Sequence, residues 1–142
     1  MTERQKIFEA ALEVFAEIGV ARSNLAMIAE RAGLDPAAVR CLFVDQEALL
    51  RQVLEEMSTP LISAISMAVE QMEDPRDMIR ESMRLFDNWL YDHPLYVRVL
   101  HRCMLDDPES LQVIYERSMY PSEYFEKLRA YAGDGQIRVA DA

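Results

Sequence analysis

The sequence predicts an all-α chain: a three-helix helix-turn-helix head followed by a longer helical body. Apolar residues recur at three- and four-residue spacing along most of the 142 residues, and no stretch alternates with period two for long enough to argue a strand. Breakers are few, with Gly and Pro together contributing ten residues, four and six respectively, and most of them stand at the ends of the periodic segments. A hydrophobic fraction of 51% supports a sizeable core and excludes a disordered chain.

Each element has its own start and stop. Thr2-Glu3-Arg4-Gln5 reads as a capping box. Ile7, Ala10, Ala11, Val14, Phe15 and Ile18 then form the apolar stripe of a first helix that Gly19 ends. Ser23 or Asn24 caps a short second helix with Leu25, Ile28, Ala29 and Ala32 inward, and Gly33 stops it. Asp35-Pro36 opens a third, with Pro at the first helical position where its missing N–H does no harm. Asp45 caps a long fourth helix through Leu49, Leu50, Val53, Leu54 and Met57, which Pro60 is expected to kink or restart before it runs to about Met72. Asp74-Pro75 opens a fifth reaching about Leu90, and His93-Pro94 breaks it. Residues 94–105 form a sixth. Asp107-Pro108 opens a seventh that Pro121 interrupts and Gly133-Asp134-Gly135 terminates.

Residues 25–43, LAMIAERAGLDPAAVRCLF, carry the helix-turn-helix spacing. Ala29 stands where two helices approach most closely, Gly33 in the turn, and Val39 with Ile28 and Leu34 in the small shared core. In this setting Phe8-Glu9-Ala10-Ala11, Phe15-Ala16-Glu17-Ile18-Gly19, Ile28-Ala29-Glu30-Arg31-Ala32-Gly33-Leu34, Phe43 and Glu47-Ala48-Leu49-Leu50 occur in order and spacing. Over residues 4–50 the chain thereby resembles the tetracycline-repressor (TetR) family of transcription regulators. The resemblance implies a DNA-binding head over residues 1–45 and an effector-binding, dimerising body over residues 46–142. It implies double-stranded operator DNA and a small apolar or amphipathic effector as partners, with no catalytic activity and no cofactor.

Carried onto this sequence, the DNA-contacting positions are Arg22, Ser23, Asn24, Pro36, Ala37, Arg40, Cys41 and Gln46. Several depart from the family pattern. Asp35 replaces a Ser before the recognition helix, Ala37-Ala38 replace Gly-Thr, and Arg40 and Leu42 replace aromatics. Gln46 stands where a Lys would place a cation at a helix start. Arg40 can take over as a phosphate or guanine contact through its bidentate fork.

Charge runs the other way. The net charge is −10, and residues 1–50 hold five Lys/Arg against eight Asp/Glu, whereas phosphate binding favours a basic face. This keeps open a second reading, a TetR-like ligand-binding or interaction protein that has lost DNA binding.

In the body, Phe86, Trp89, Leu90, Tyr96, Leu100, Met104, Tyr115 and Met119 are the candidates to line an effector cavity, and nine Met residues suit an adaptable apolar pocket. Ordinary core packing is the competing account of each. Cys41, Cys103, His93 and His101 lack ligand spacing, so neither a disulfide framework nor a metal site is expected. No nucleophile motif or phosphate loop supports an enzyme. No apolar run approaches the roughly 20 residues that span a bilayer, and the N-terminus lacks a signal pattern, so a cytoplasmic protein is expected. Family members continue past a stretch like Gly135-Gln136-Ile137-Arg138 into two further helices that form a two-fold bundle. This chain stops four residues later, so the body reads as incomplete, a fragment or a shortened member, and the homodimer is expected of a full-length form.

Overall fold

The computed structural model describes residues 1–106, 108–109, 111 and 122–134. Among these the chain forms α1 (Glu3–Ile18), α2 (Leu25–Ala32), α3 (Pro36–Leu42), α4 (Gln46–Gln71), α5 (Pro75–Asp92), α6 (Pro94–Asp106) and α7 (Ser122–Gly133), with no strand. The part of the expected seventh helix before Pro121 falls largely outside the described residues. α7 begins one residue beyond Pro121 and ends at Gly133.

Local chemistry accounts for the boundaries. Thr2 Oγ1 accepts from the Gln5 N–H at 3.2 Å while the Thr2 N–H donates to Gln5 Oε1 at 2.8 Å, closing the capping box. Asn24, Asp35, Asp45 and Asp74 cap α2, α3, α4 and α5, each accepting a backbone N–H from the first turn. Gly33 ends α2 in the left-handed region (φ 68°, ψ 34°), and its N–H faces the last turn of that helix. Gly19, at φ 83° and ψ 166°, takes a conformation open essentially to glycine alone. A Cβ there would also stand 3.3 Å from an Arg102 guanidinium nitrogen.

α4 runs on through Pro60, so of the expected kink or restart the restart does not occur. Proline removes one N–H and thus the bond to the Glu56 carbonyl. Around the defect Ser58 and Thr59 donate their hydroxyls to the Glu55 carbonyl at 3.1 and 2.8 Å, and Pro60 itself faces solvent, where water can serve the freed carbonyl. The far end of α4 is held from α7. Lys127 donates to the carbonyls of Val69 and Met72, and the Tyr131 hydroxyl donates to the carbonyl of Glu73.

The core of the head does not end at the head. Ile7, Ala11, Phe15, Ile28, Ala29, Val39 and Phe43 pack in one cluster with Leu49, Leu50, Val53 and Leu54 of α4 and Tyr96, Val99 and Cys103 of α6. A second cluster, Leu61, Ile65, Val69, Met78 and Tyr124, fills the distal half of α4, α5 and α7. Ala29 and Val39 are fully buried at the α2–α3 approach. Ala29→Leu is expected to overpack this approach and destabilise the fold by about 1–3 kcal/mol. A thermal melt indistinguishable from the wild type would contradict this packing.

Candidate nucleic-acid interface and effector region

α3 presents two unlike sides because of where Val39 and Phe43 point. Both are buried, four residues apart: Val39 seats the helix against α2, and Phe43 just beyond it meets Phe8 of α1. Ala37, Ala38, Arg40, Cys41 and Leu42 consequently face solvent, and Val44 just beyond the helix is 91% exposed. Pro36 is half-buried at the first position of α3, and the Ala37 N–H is held by Asp35 Oδ1 at 2.8 Å. Gln46 is the first residue of α4 and half-buried.

Ser23 is 5% exposed, and its hydroxyl donates to the Val20 carbonyl at 2.7 Å, within the α1–α2 turn. Asn24 takes the cap instead, its Oδ1 accepting from the Met27 N–H at 2.9 Å. Arg22, inside this turn, is exposed.

The cations of the head divide into two groups. Arg4 pairs with Glu56, hydrogen-bonds Gln52 at 2.9 Å and lies over the Phe8 ring at 5.0 Å. Arg31 bridges α2 to α1 through Glu17 at 2.9 Å and Glu13 at 3.1 Å. The Arg31 guanidinium holds the Glu17 carboxyl below the usual carboxylate range through its hydrogen bond, against a smaller opposing effect of desolvation. Arg22 and Arg40 make no ion pair with any described residue. The spacing of Glu13, Glu17 and Arg31 was legible in the sequence only as surface charge, because the α1–α2 crossing brings them together.

The residues expected to line an effector site separate. Phe86 and Trp89 lie on the inner side of α5 against the distal cluster, Leu90 is half-buried, and Tyr96 and Leu100 belong to the cluster shared with the head. Trp89 borders both. Its ring meets Tyr96 edge-on at 4.7 Å and stacks on His93 at 4.5 Å, and His93 Nδ1 lies 2.8 Å from the Trp89 carbonyl oxygen. Met104 is 58% exposed, because Tyr96, Val99 and Cys103 supply the buried stripe of α6 and the next residue is turned about 100° away. Tyr115 and Met119 lie outside the described residues. No group of three or more His, Cys, Asp or Glu that could hold a metal occurs among the described residues. Among them, too, no helix is long and apolar enough to cross a membrane.

Residues 7–53 match the family model described as bacterial regulatory proteins, tetR family. The chain is 31% identical over 78 residues to the HTH-type transcriptional regulator BetI of Stenotrophomonas maltophilia, a match covering 54% of this chain and 40% of that protein. It is 31% identical over 83 residues to the nicotine-responsive transcriptional repressor HdnoR of Paenarthrobacter nicotinovorans, covering 58% and 43%. The match thus takes in less than half the length of either relative. Among solved structures, FadR of Bacillus subtilis in complex with stearoyl-CoA aligns with a TM-score of 0.77 at 20% identity, over 97% of this chain and 75% of that one. PfmR of Thermus thermophilus aligns with a TM-score of 0.72 at 24% identity, over 95% and 75%. These likenesses establish the fold.

Tyr96 offers a test of the α4–α6 contact beside the effector region. Its hydroxyl donates to the Leu54 carbonyl at 3.3 Å, and burial pushes its pKa from 10.0 up to about 12, with the nearby Ser58 opposing and Cys103 adding to the rise. A raised folded-state value means that this contribution to stability is complete below pH 10.0 and declines as pH rises to about 12. Urea unfolding of the wild type should lose roughly 2–3 kcal/mol across that window beyond any loss in Tyr96→Phe. Equal declines in both proteins would refute the assignment.

Proposed function

We propose that the protein, whose residues 7–53 match the tetR family model, is a cytoplasmic, ligand-responsive transcription regulator of that family that binds operator DNA. Residues 1–45 contact DNA, and residues 46–142 respond to a small apolar or amphipathic effector. The observation that carries the reading is the outward side of α3. A buried Val39–Phe43 edge anchors the helix, and Arg40 stands on its exposed side, with neither it nor Arg22 held in an ion pair among the described residues. The major groove admits an α-helix, and exposed arginines supply phosphate and guanine contacts. Arg22, Arg40, Asn24 and Gln46 carry the polar contacts; Pro36, Ala37 and Cys41 provide close approach.

The internal pairs fix which charges are committed within the protein and leave its net charge unchanged. Glu13, Glu17 and Glu56 are each partnered by Arg31 or Arg4, and Asp35 and Asp45 accept backbone N–H groups of their own helices. Acidic residues remain in excess, which also favours the second reading, a protein of this fold that no longer binds DNA.

Two observations support an apolar effector. The body offers Phe86, Trp89, Leu90, Tyr96 and Leu100 at the meeting of its two apolar clusters, and a structural neighbour was solved with stearoyl-CoA. Effector binding then shifts the population between arrangements of two heads in a homodimer, which requires different affinities for the two states. α6 is suited to transmit the shift, since Arg102 donates to the Glu17 carbonyl of α1 at 2.9 Å.

Selection of duplex DNA from genomic fragments in about 50 mM salt tests the reading, with one enriched palindrome as the expected result. Arg22→Gln and Arg40→Gln should each weaken binding, and every phosphate no longer neutralised should flatten the slope of log affinity against log salt by about 0.9. Gln46→Lys should tighten binding to all sequences alike, because a cation at the start of α4 attracts phosphate without reading bases. Absence of binding by both the wild type and Gln46→Lys would leave the second reading in force.

A further inference from the structure

The exposed side of α3 has an unusual chemistry for a surface that meets base edges. Ala37, Ala38 and Leu42 carry no side-chain hydrogen-bonding group, Cys41 only a weak one, and Val44 at the end of the helix is 91% exposed and apolar. Arg40 supplies the one strong donor on this side of the helix. The flanking carboxylates of Asp35 and Asp45 accept from the Ala37 and Ala48 N–H groups at 2.8 and 2.7 Å, so their preferred partners lie within the protein.

We propose that α3 selects its DNA site by apolar contact with thymine C5-methyl groups through Ala37, Ala38 and Cys41, with Leu42 and Val44 at the edge of the contact. The inference rests on the DNA-binding reading above and adds the class of base sequence. In the major groove the thymine methyl is the one apolar group that a base pair presents, whereas G·C pairs present N7, O6 and N4 for polar partners. Small side chains let the helix backbone come close to the base edges. The surface dehydrates donors and acceptors on either kind of base pair, but only A·T pairs offset that cost with a buried methyl contact. The positive charge of Arg40, outside any ion pair among the described residues, makes a nucleic acid the fitting occupant of this side. Arg40 also limits polar readout by α3 to about one base pair per half-site, through a bidentate contact to guanine or through a phosphate.

Selection by the full chain from random-sequence duplexes in about 50 mM salt should enrich half-sites with neighbouring thymines. In the enriched duplex, replacing a contacted thymine with deoxyuridine removes the methyl and nothing else. Each such replacement should weaken binding about fourfold, the worth of one buried methyl-sized group. Arg40→Gln should lower affinity overall while leaving the deoxyuridine effect intact, because the two contacts are independent. Enrichment of G·C-rich sites, or affinity indifferent to every deoxyuridine replacement, overturns the inference and leaves DNA binding standing. Failure of the wild type and Gln46→Lys alike to retain any duplex overturns both this inference and the DNA-binding reading.

Discussion

Burial of α1 on three sides holds the molecule together. A surface helix needs a single apolar stripe, but α1 buries Ile7, Phe8, Ala10, Ala11, Leu12, Val14 and Phe15, seven side chains spread around more than half its circumference. It packs on α2, α4 and α6. α3 has its place through that arrangement, since Phe43 meets Phe8 with ring centroids 6.2 Å apart while Val39 closes against α2. Small residues make the approaches possible. Ala11 and Ala29 are completely buried, and a larger side chain at either would hold the helices apart.

The same arrangement sorts the charges. Where α1 crosses α2, Glu13 and Glu17 converge on Arg31, and where α1 nears α4, Arg4 reaches Glu56 and Gln52. These pairs are exposed, and their worth to stability is small. Their larger consequence is positional: they confine two of the head's arginines to helix crossings, while Arg22 and Arg40 remain available for other partners. The composition counts every arginine equally, whereas the fold commits Arg4 and Arg31 and leaves the net charge of the head unchanged.

α6 joins the halves of the molecule. Its buried stripe lies against α1 and α4, Arg102 caps the carbonyl end of α1, and Tyr96 reaches the backbone of α4. The close approach of Arg102 to Gly19 leaves little room for a side chain there, so the left-handed turn and the interhelical contact depend on the same residue. In the proposed regulator, a ligand that displaced α5 or Trp89 would act on α6 through the Trp89–Tyr96 edge contact, and α6 would pass the strain to the head.

Taken alone, the sequence determined the helices and their order, because capping and periodicity act within a few residues: Thr2 with Gln5, Asn24 or Ser23, Asp35-Pro36, Asp45, Asp74-Pro75 and Gly33 mark ends by local hydrogen bonds and backbone freedom. It also determined the helix-turn-helix, whose Ala29, Gly33 and Val39 lie within eleven residues of one another. Tertiary structure decided what depends on distant partners. Met104 was left outside because α6 offers its Tyr96–Val99–Cys103 stripe to α1 and α4. Pro60 was absorbed into a continuous α4, with Leu61 and Ile65 just beyond it seated against α5 and α7. A residue's type sets which contacts it can make, and the packing of helices far apart in the chain sets which of those it meets.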